Sequence, residues 1–467
     1  MKYISTRGKA PVLGFEDVML SGLAVDGGLY VPQEWPSFTT KQISEMQGSS
    51  YNEIAEKVTM PFVDGELDNV TLRKLIEDSY SRFGHPDKAP LIQIEKNMWV
   101  LELFHGPTLA FKDFALQLLG NLFEEVLKRR EQRITIVGAT SGDTGSAAIE
   151  ACKFRDNIDI FILHPEGRTS EIQRRQMTTV DAKNVHNISI QGSFDDCQDL
   201  VKLMFGDMDF RNNHNLSAVN SINWVRIMAQ VVYYFTSALA LGAPDKKISY
   251  AVPTGNFGDV FAGYVAKKMG LSIERLIVAT NANDILSRFF ERNDMSVRPV
   301  VSTLSPSMDI QVSSNFERLV FDLAQNDSGV VRRAIKSFRD TGHMELPFGM
   351  LESARQTFAA ARLEDEGILA VIRSLWKSCN VVVDPHTATG IHAAKEKLSQ
   401  HGNPVVALAT AHPAKFPDSV AAAIGHSPRL PDKLSHIMSA DEQYVVLPAD
   451  IETVKQYVAT HANSVGS

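Results

Sequence analysis

The chain has 467 residues, which is too long for one ordinary hydrophobic core and predicts two or three domains. Hydrophobic residues make up 44% and charged residues 22%, as in an ordinary soluble globular protein. The net charge of -8 argues against nucleic-acid binding, and no long block of Lys and Arg contradicts that expectation. Any bound phosphate group must therefore be held by local contacts.

The cysteines and the N-terminus bear on the compartment. Cys152, Cys197 and Cys379 lie too far apart for a zinc knuckle, and their odd number argues against a disulfide framework. The N-terminal residues lack the apolar core of a signal peptide, and no run approaches the length of a membrane span. We therefore expect a cytoplasmic protein without a metal site or a membrane partner.

The distribution of apolar residues predicts the fold class. Residues 1–91 read as an N-terminal helical region, with amphipathic stretches around 41–60 and 71–83. Beyond this region, short runs rich in Val, Ile and Leu alternate with helical patterns. These runs are 98–104, 133–137, 158–163, 185–190, 248–252, 276–280, 381–384 and 405–409. Apolar runs separated by helices indicate parallel strands covered on both faces, so the chain is predicted to be α/β.

The same alternation suggests how the chain divides into domains. A first α/β domain is expected over 92–240 and a second over 241–430. Within the second, strands are scarce at about 283–372, where the helical patterns 315–324, 330–339 and 350–363 predict a helical insertion. Residues 431–467 are expected to form a C-terminal tail.

Lys112 stands out in the stretch that ends the first apolar run. The breaker His105-Gly106-Pro107 precedes it, and a helical pattern begins at Asp113. A helix start favours anions, so a structural lysine is unusual there. Burial between Phe111 and Phe114 and the positive end of the helix dipole would both lower the pKa of the amine. Such a lysine is suited to nucleophilic chemistry, although a single lysine in this setting is more often a surface residue.

Two glycine-rich turns follow strands and precede helices, over 138–145 and 252–260. This arrangement presents backbone N–H groups to an anion at a helix N-terminus. Neither turn has the spacing of a dinucleotide fingerprint or a P-loop. A further stretch, Asp384-Pro-His-Thr387, is predicted to begin another helix. There the Thr387 hydroxyl is either an N-cap or the partner of a heteroaromatic nitrogen. We infer two anion sites beside a reactive lysine.

Five stretches of the sequence, in order, resemble the threonine synthase family, in the longer branch found in many bacteria and fungi. They are His105-Gly-Pro-Thr-Leu-Ala-Phe-Lys112-Asp, Gly138-Ala-Thr-Ser-Gly-Asp-Thr-Gly145, Asn220-Ser-Ile-Asn-Trp224, Pro253-Thr-Gly-Asn-Phe-Gly-Asp259 and Asp384-Pro-His-Thr387. The similarity extends from about residue 5 to 415. It implies the tryptophan-synthase-β-like fold, with two doubly wound, mostly parallel sheets, and a pyridoxal 5'-phosphate cofactor.

The resemblance also implies roles for individual residues. Lys112 matches the lysine that forms the Schiff base and is the expected catalytic residue. The expected cofactor-binding residues are Lys112, Asp143, Gly255, Asn256, Phe257, Gly258, Asp259 and Thr387. The expected substrate-binding residues are Thr140, Ser141, Gly142, Thr144, Asn223 and Arg174. Arg175 and Lys183 are further candidates for the substrate phosphate, and His105, His386 and His412 for proton relay; for each, a structural or surface role is at least as common.

The implied reaction converts O-phospho-L-homoserine and water into L-threonine and phosphate, with the enzyme a monomer or a homodimer. Two alternatives remain open from the residues. A lyase of the same cofactor class would release 2-oxobutyrate, because the outcome depends on proton placement after phosphate leaves. A non-catalytic cofactor-binding homologue is disfavoured, since Lys112, both anion loops and Thr387 are all retained.

Overall fold

The computed structural model describes residues 1–397 and 402–463. The helices are α1 (Phe15–Ser21), α2 (Thr40–Ser44), α3 (Tyr51–Val63), α4 (Asn69–Tyr80), α5 (Lys112–Arg129), α6 (Asp143–Cys152), α7 (Glu171–Thr178), α8 (Phe194–Gly206), α9 (Met208–Asn213), α10 (Trp224–Ala240), α11 (Gly258–Lys268), α12 (Ile285–Arg292), α13 (Phe316–Leu323), α14 (Ser328–Thr341), α15 (Phe348–Arg355), α16 (Asp365–Cys379), α17 (Pro385–Glu396), α18 (Pro417–Ile424) and α19 (Ile451–His461). Short 3-10 helices occupy Pro306–Met308, Pro413–Lys415 and Asp432–Met438.

The strands are β1 (Tyr3–Ser5), β2 (Tyr30–Pro32), β3 (Leu91–Glu95), β4 (Met98–Glu102), β5 (Ile134–Ala139), β6 (Ile158–Pro165), β7 (Val185–Gln191), β8 (Leu216–Ser217), β9 (Ile248–Pro253), β10 (Ile273–Thr280), β11 (Met295–Ser296), β12 (His343–Met344), β13 (Phe358–Arg362), β14 (Val405–Ala409) and β15 (Val445–Pro448). Two of the sheets they form are large. The six-stranded sheet has the order β13-β10-β9-β14-β4-β3, and the five-stranded sheet has the order β15-β7-β6-β5-β8.

Both large sheets are built mainly from parallel pairs, and only β3 runs antiparallel to its neighbour β4. Every residue of β6 is buried, which explains why its sequence is apolar without alternation. Helix α10, almost entirely buried, belongs to a core that also takes in residues of both sheets, including Ile136 and Tyr250. The predicted α/β class with two doubly wound sheets is confirmed.

Sheet membership differs from the predicted domain division at β4. This strand lies within the predicted first domain, yet it pairs in parallel with β14, with Val405 opposite Met98 and Ala409 opposite Glu102. It therefore belongs to the six-stranded sheet, whose other parallel strands come from the predicted second domain. The run 98–104 was correctly predicted as a strand, but its partner is about three hundred residues away and local sequence does not specify it.

The C-terminal segment is more than the expected tail. Strand β15 pairs in parallel with β7 at the edge of the five-stranded sheet, with Val445 opposite Ile188. Helix α19 then buries Val454 and Val458 in the core on one face of that sheet. The segment therefore completes the first sheet, and the last residues of the expected tail, 464–467, lie outside the described residues.

Two expectations about secondary structure are wrong. The helix expected over 350–363 ends at Arg355, and Phe358–Arg362 form β13 beside β10. Its Ala-rich sequence favours a helix, but pairing at the sheet edge overrides that preference. Residues 381–384 connect α16 to α17 without forming a strand. Val383 accounts for the apolar signal there, because it is buried in the core on the outer face of the six-stranded sheet.

The interval 283–372 is largely helical, as expected, although it also includes β13 and the short pair β11 and β12. Among the residues that the model describes, no helix is long and apolar enough to cross a membrane.

Candidate active site

Lys112 is the first residue of α5, and its side chain is buried, with 8% of the residue exposed. Its Nζ lies 3.5 Å from Asp143 Oδ2 and 4.8 Å from the centre of the Phe111 ring. Burial lowers the pKa of Lys112; Asp143 opposes that effect, and the nearby cations Lys415 and Arg226 add to it. The pKa of this amine is therefore lower than that of an ordinary lysine.

Asp113, the residue after Lys112, holds the loop that precedes Lys112. Asp113 accepts hydrogen bonds from the Thr108 backbone N–H (2.8 Å) and from Thr108 Oγ1 (2.7 Å), and all these atoms are buried. A Cβ on Gly106 would lie 2.4 Å from the Asp113 carboxylate, so only glycine fits there. Burial raises the pKa of Asp113 to about 6. These contacts fix the backbone from which Lys112 projects.

The turn between β5 and α6 is closed by Thr140. Its Oγ1 accepts hydrogen bonds from the backbone N–H of Gly142 (3.0 Å) and of Gly145 (2.8 Å). Gly142 has φ of 145°, and a Cβ there would lie 2.6 Å from the Gln173 side chain. Ser141 and Thr144 flank this turn and are half-buried. The Thr140 side chain is therefore used within the loop, while Ser141 and Thr144 retain partial access to solvent.

Asp143 connects Lys112 to a second lysine. Its Oδ1 lies 2.7 Å from Lys415 Nζ and accepts a hydrogen bond from Gln173 Nε2 at 2.8 Å. Burial alone would raise the pKa of Asp143, but Lys415 and then Lys112 hold it far below its usual range. Sequence reasoning did not single out Lys415. Its position shortly after β14 was the only signal, since the carboxyl ends of parallel strands share one edge of a sheet.

The turn between β9 and α11 is shaped for close approach. Phe257 adopts a left-handed conformation with φ of 62°, and no side chain caps the start of α11. A Cβ on Gly255 would lie 2.9 Å from the Ser307 carbonyl oxygen. Asn315 supports the turn through its backbone N–H and its Nδ2, which both donate to the Asn256 carbonyl oxygen. An uncapped helix start after a tight glycine turn fits the phosphate of a pyridoxal cofactor.

The side chains of this second turn point to different partners. Asn256 Oδ1 accepts a hydrogen bond from Ser314 Oγ at 3.3 Å, and the Phe257 ring packs in the core against other phenylalanines. Asp259 Oδ1 accepts hydrogen bonds from the hydroxyls of Tyr233 (2.6 Å) and Tyr234 (2.9 Å). Its buried Oδ2 has no hydrogen-bond partner within 1–397 and 402–463, and burial raises the pKa of Asp259 to about 6. For Phe257 and Gly258, only backbone groups are available to a phosphate.

Thr387 lies in the first turn of α17 and is fully buried. Its Oγ1 donates to Asp384 Oδ2 and accepts a hydrogen bond from the Thr410 N–H at 3.2 Å. Asp384 also lies 2.8 Å from His386 Nδ1, while His386 Nε2 accepts a hydrogen bond from the Ser307 N–H. His386 is therefore bonded at both ring nitrogens and holds a structural position beside Thr387.

The other two histidines, His105 and His412, both pack against the Phe104 ring. His105 Nε2 is 2.7 Å from Glu102 Oε2. Burial lowers the pKa of His412 to about 4, and the charge of His105 adds to the effect. No contact connects either ring to Lys112 among the described residues.

Several expected phosphate-binding residues have other partners. Arg174 forms two hydrogen bonds with the Glu442 carboxylate, at 2.8 and 2.9 Å, and Arg175 donates to the carbonyl oxygens of Ile437 and Ala440. Asn223 caps α10 through the Val225 N–H and donates to the Met19 carbonyl oxygen. Lys183 is exposed. Arg174 and Asn223 are therefore engaged in structural contacts rather than directed at Lys112.

Arg226, in the first turn of α10, was not among the predicted site residues. It is 4% exposed, and its only hydrogen bond among the described residues is from Nη1 to the Val219 carbonyl oxygen at 3.3 Å. In the same part of the chain, its buried Nε has no hydrogen-bond partner. Burial lowers the pKa of Arg226 to about 10, and its charge is among those that act on Lys112. A buried guanidinium without a carboxylate is suited to an anionic ligand.

Three family models match the chain. A model described as "Threonine synthase N terminus" matches residues 2–80, one described as "Pyridoxal-phosphate dependent enzyme" matches 85–411, and one described as "Threonine synthase, C-terminal" matches 387–458. The central model alone spans more than half of the chain and includes Lys112 and both glycine-rich turns.

Known relatives agree with these models over nearly the full length. The chain is 52% identical to the threonine synthase of Pseudomonas aeruginosa, with 99% of each chain covered, and 40% identical to that of Saccharomyces cerevisiae, with 98% and 97% covered. Its fold superposes on a PLP-bound threonine synthase from Brucella melitensis with a TM-score of 0.97 at 53% identity, covering 99% and 100%. The Escherichia coli threonine synthase structure gives 0.84 at 31% identity, covering 99% and 100%.

Proposed function

The chain belongs to the threonine synthase family of pyridoxal-phosphate enzymes, and from that premise we propose which of its side chains perform the reaction. The enzyme converts O-phospho-L-homoserine and water into L-threonine and phosphate. Bound pyridoxal 5'-phosphate supplies the electron sink that makes the Cα and Cβ protons of the substrate acidic. The protein must bind and orient the substrate and move protons at defined atoms.

Lys112 is the residue that links to the cofactor and that moves the proton at the substrate Cα. The observation that carries this assignment is a buried amine beside Asp143, held at the start of α5, whose pKa is lowered by burial. A neutral amine can attack a carbonyl carbon and accept a proton, whereas an ammonium group can do neither.

The cofactor phosphate binds at the turn between β9 and α11, through the backbone N–H groups of residues 255–259. The absence of a side-chain cap and the close approach at Gly255 support this. Asp259 accepts hydrogen bonds from the Tyr233 and Tyr234 hydroxyls, and the buried hydroxyl of Thr387 is the group that we propose faces the ring nitrogen. Asp143 stays ionised beside Lys112 and can accept a hydrogen bond from a polar group on the cofactor.

The substrate carboxylate binds at the start of α6, where Ser141 and Thr144 offer hydroxyls and Gly142 allows close backbone approach. Thr140 shapes that loop from within. For the substrate phosphate we propose Arg226 in place of Arg174, because Arg226 is buried, lacks a carboxylate partner and acts on Lys112. A fork of N–H donors matches phosphate oxygens.

We propose a cytoplasmic enzyme that is a monomer or a homodimer and that does not bind nucleic acid. The three cysteines are free thiols, which suits a reducing compartment, and the net charge of -8 opposes binding to a polyanion.

Chemical trapping tests the assignment of Lys112. Borohydride reduction of the enzyme with bound cofactor, followed by proteolysis and mass spectrometry, is expected to place the cofactor mass on Lys112. Lys415 is the matched comparison, because it is also buried and shares Asp143. Modification at Lys415 or at another lysine, with Lys112 unmodified, would overturn the assignment.

A further inference from the structure

Lys415 is a completely buried lysine beside the proposed catalytic amine. Its exposed fraction is 0%, and its Nζ lies 2.7 Å from Asp143 Oδ1 and donates to the Thr108 carbonyl oxygen at 2.8 Å. Transfer of an ammonium group from water to a protein interior is costly unless it is paired and hydrogen-bonded. Lys415 satisfies that requirement entirely through residues of the Lys112 site.

These contacts join three elements that come from distant parts of the chain. Lys415 ends the 3-10 helix Pro413–Lys415, which follows β14 of the six-stranded sheet. Thr108 lies in the loop leading to Lys112, and Asp143 begins α6 beside the five-stranded sheet. Gln173 and Gln176 of α7 reinforce the same two acceptors, through Asp143 Oδ1 and the Thr108 carbonyl oxygen respectively. One ammonium group thus ties both sheets to the Lys112 loop.

The arrangement divides the carboxylate of Asp143 between two lysines. Oδ1 faces Lys415 at 2.7 Å, while Oδ2 lies only within 3.5 Å of Lys112. With Lys415 absent, Asp143 would be free to form a close ion pair with Lys112 and to favour its ammonium form. With Lys415 present, Lys112 has a weaker counter-ion and a second cation nearby.

The other charged groups around Lys112 do not take the place of Lys415. Arg226 approaches from α10 and adds a positive charge, and Asp259 approaches from α11. On α5 itself, the Asp113 carboxylate is occupied by Thr108. Burial raises the pKa of both Asp113 and Asp259 to about 6. The charge of Lys112 therefore depends on how the Asp143 carboxylate is shared between Lys112 and Lys415.

We propose that Lys415 is a positioning residue for the reaction: by occupying Asp143 Oδ1 and the Thr108 carbonyl, it holds Asp143 away from a close pair with Lys112. This proposal rests on the assignment of Lys112 as the amine that links to the cofactor. Lys415 has no direct role in bond making or breaking; its effect is on the proton affinity of the Lys112 nitrogen.

The test is a spectroscopic pH titration of the enzyme with bound cofactor, because the visible absorbance reports protonation of the nitrogen that joins Lys112 to the cofactor. In Lys415→Met, the midpoint is expected to rise by about one pH unit, a tenfold gain in proton affinity. In Lys415→Arg, which keeps the charge, the midpoint should stay close to wild type. Lys267→Met is the matched control, since that half-buried lysine donates only to the Ile273 carbonyl oxygen among the described residues.

An unchanged midpoint in Lys415→Met, or equal shifts in the Met and Arg variants, would overturn the proposal. If Lys415→Met does not fold or does not hold the cofactor, the same titration is carried out on Asp143→Asn. Loss of the shared carboxylate is expected to lower the midpoint, and no shift there would also overturn the proposal. Failure of the Lys112 assignment would look different, because Lys112→Ala would then keep the same absorbance titration.

Discussion

At the scale of single residues, the site contains more buried cationic side chains than carboxylates that pair with them. Asp143 serves both Lys112 and Lys415, and Arg226 pairs with no carboxylate among the residues that the model describes. Such imbalance costs stability unless a ligand supplies the missing charge. Two anionic groups, the substrate phosphate and the cofactor phosphate, would correct it. Replacement of Arg226 tests this imbalance of charge most directly.

We expect Arg226→Met to lower kcat/KM for O-phospho-L-homoserine by about 100-fold or more, because a buried guanidinium that pairs with phosphate contributes several kcal/mol to binding. Steady-state phosphate release measures the effect. Arg174→Met is the matched control, and it should stay within about threefold of wild type because its partner Glu442 is a partly exposed carboxylate. A large loss in the Arg174 variant with a normal Arg226 variant would restore the original prediction for Arg174.

His412 gives a pH dependence of stability. Its pKa falls from 6.5 to about 4 in the folded protein, chiefly through burial. Between these values the unfolded chain binds more protons, so this group makes the free energy of unfolding increase with pH across that window. In His412→Asn, the difference in unfolding free energy between pH 7 and pH 4 should shrink by about 3 kcal/mol.

Urea unfolding at the two pH values measures this change. Asparagine is chosen because it can still accept the Ala414 N–H that His412 Nδ1 accepts at 3.2 Å. Asp113 and Asp259 titrate in an overlapping window with the opposite sign, so only the difference between variant and wild type is informative. Equal pH dependence in His412→Asn would contradict this account.

At the scale of elements, each functional group sits where a helix begins. Lys112 opens α5, Asp143 opens α6, Gly258 opens α11, and Thr387 lies in the first turn of α17. Helix starts combine unpaired N–H groups with a positive dipole end, which suits anionic ligands. At α10 and α17 a side chain already accepts hydrogen bonds from the first backbone N–H groups, that of Asn223 at α10 and that of Asp384 at α17.

Asn223 therefore has a structural role that can be separated from binding. We expect Asn223→Ala to lower the free energy of unfolding by about 1–2 kcal/mol, because α10 loses its cap and the Met19 carbonyl loses a donor. Asn223→Ser, which can still cap, should recover part of that loss. KM for the substrate should change by less than about twofold in both. A severalfold rise in KM at unchanged stability would instead support the role in substrate binding expected from the sequence.

Sequence reasoning identified the helix starts because their signals are local. Glycine turns between an apolar run and a helical pattern mark the 138–145 and 252–260 loops directly. Lys415 and Arg226 carry no such signal. Each is a single cation within an otherwise ordinary stretch, and only the tertiary structure shows that it is buried without an equal number of carboxylates.

At the scale of the whole molecule, the site forms where the two large sheets meet. Lys112, the 252–260 turn and Lys415 follow strands of the six-stranded sheet, while Asp143 follows β5 of the five-stranded sheet. Parallel strands place their carboxyl ends at one edge, which is the usual position of ligands in such folds. The α/β class and most strands were predictable from apolar runs. The partners of β4 and β15 were not, because strand pairing across hundreds of residues leaves no local pattern.

The most direct test of the central claim is a complete product analysis. The enzyme with bound cofactor is mixed with O-phospho-L-homoserine, and threonine, inorganic phosphate and 2-oxobutyrate are quantified together, with Lys112→Ala in parallel. The account predicts threonine and phosphate in equal amounts, and a loss of at least about 1,000-fold in the variant. Phosphate accompanied by 2-oxobutyrate in place of threonine, or a Lys112→Ala variant with near-normal turnover, would contradict it.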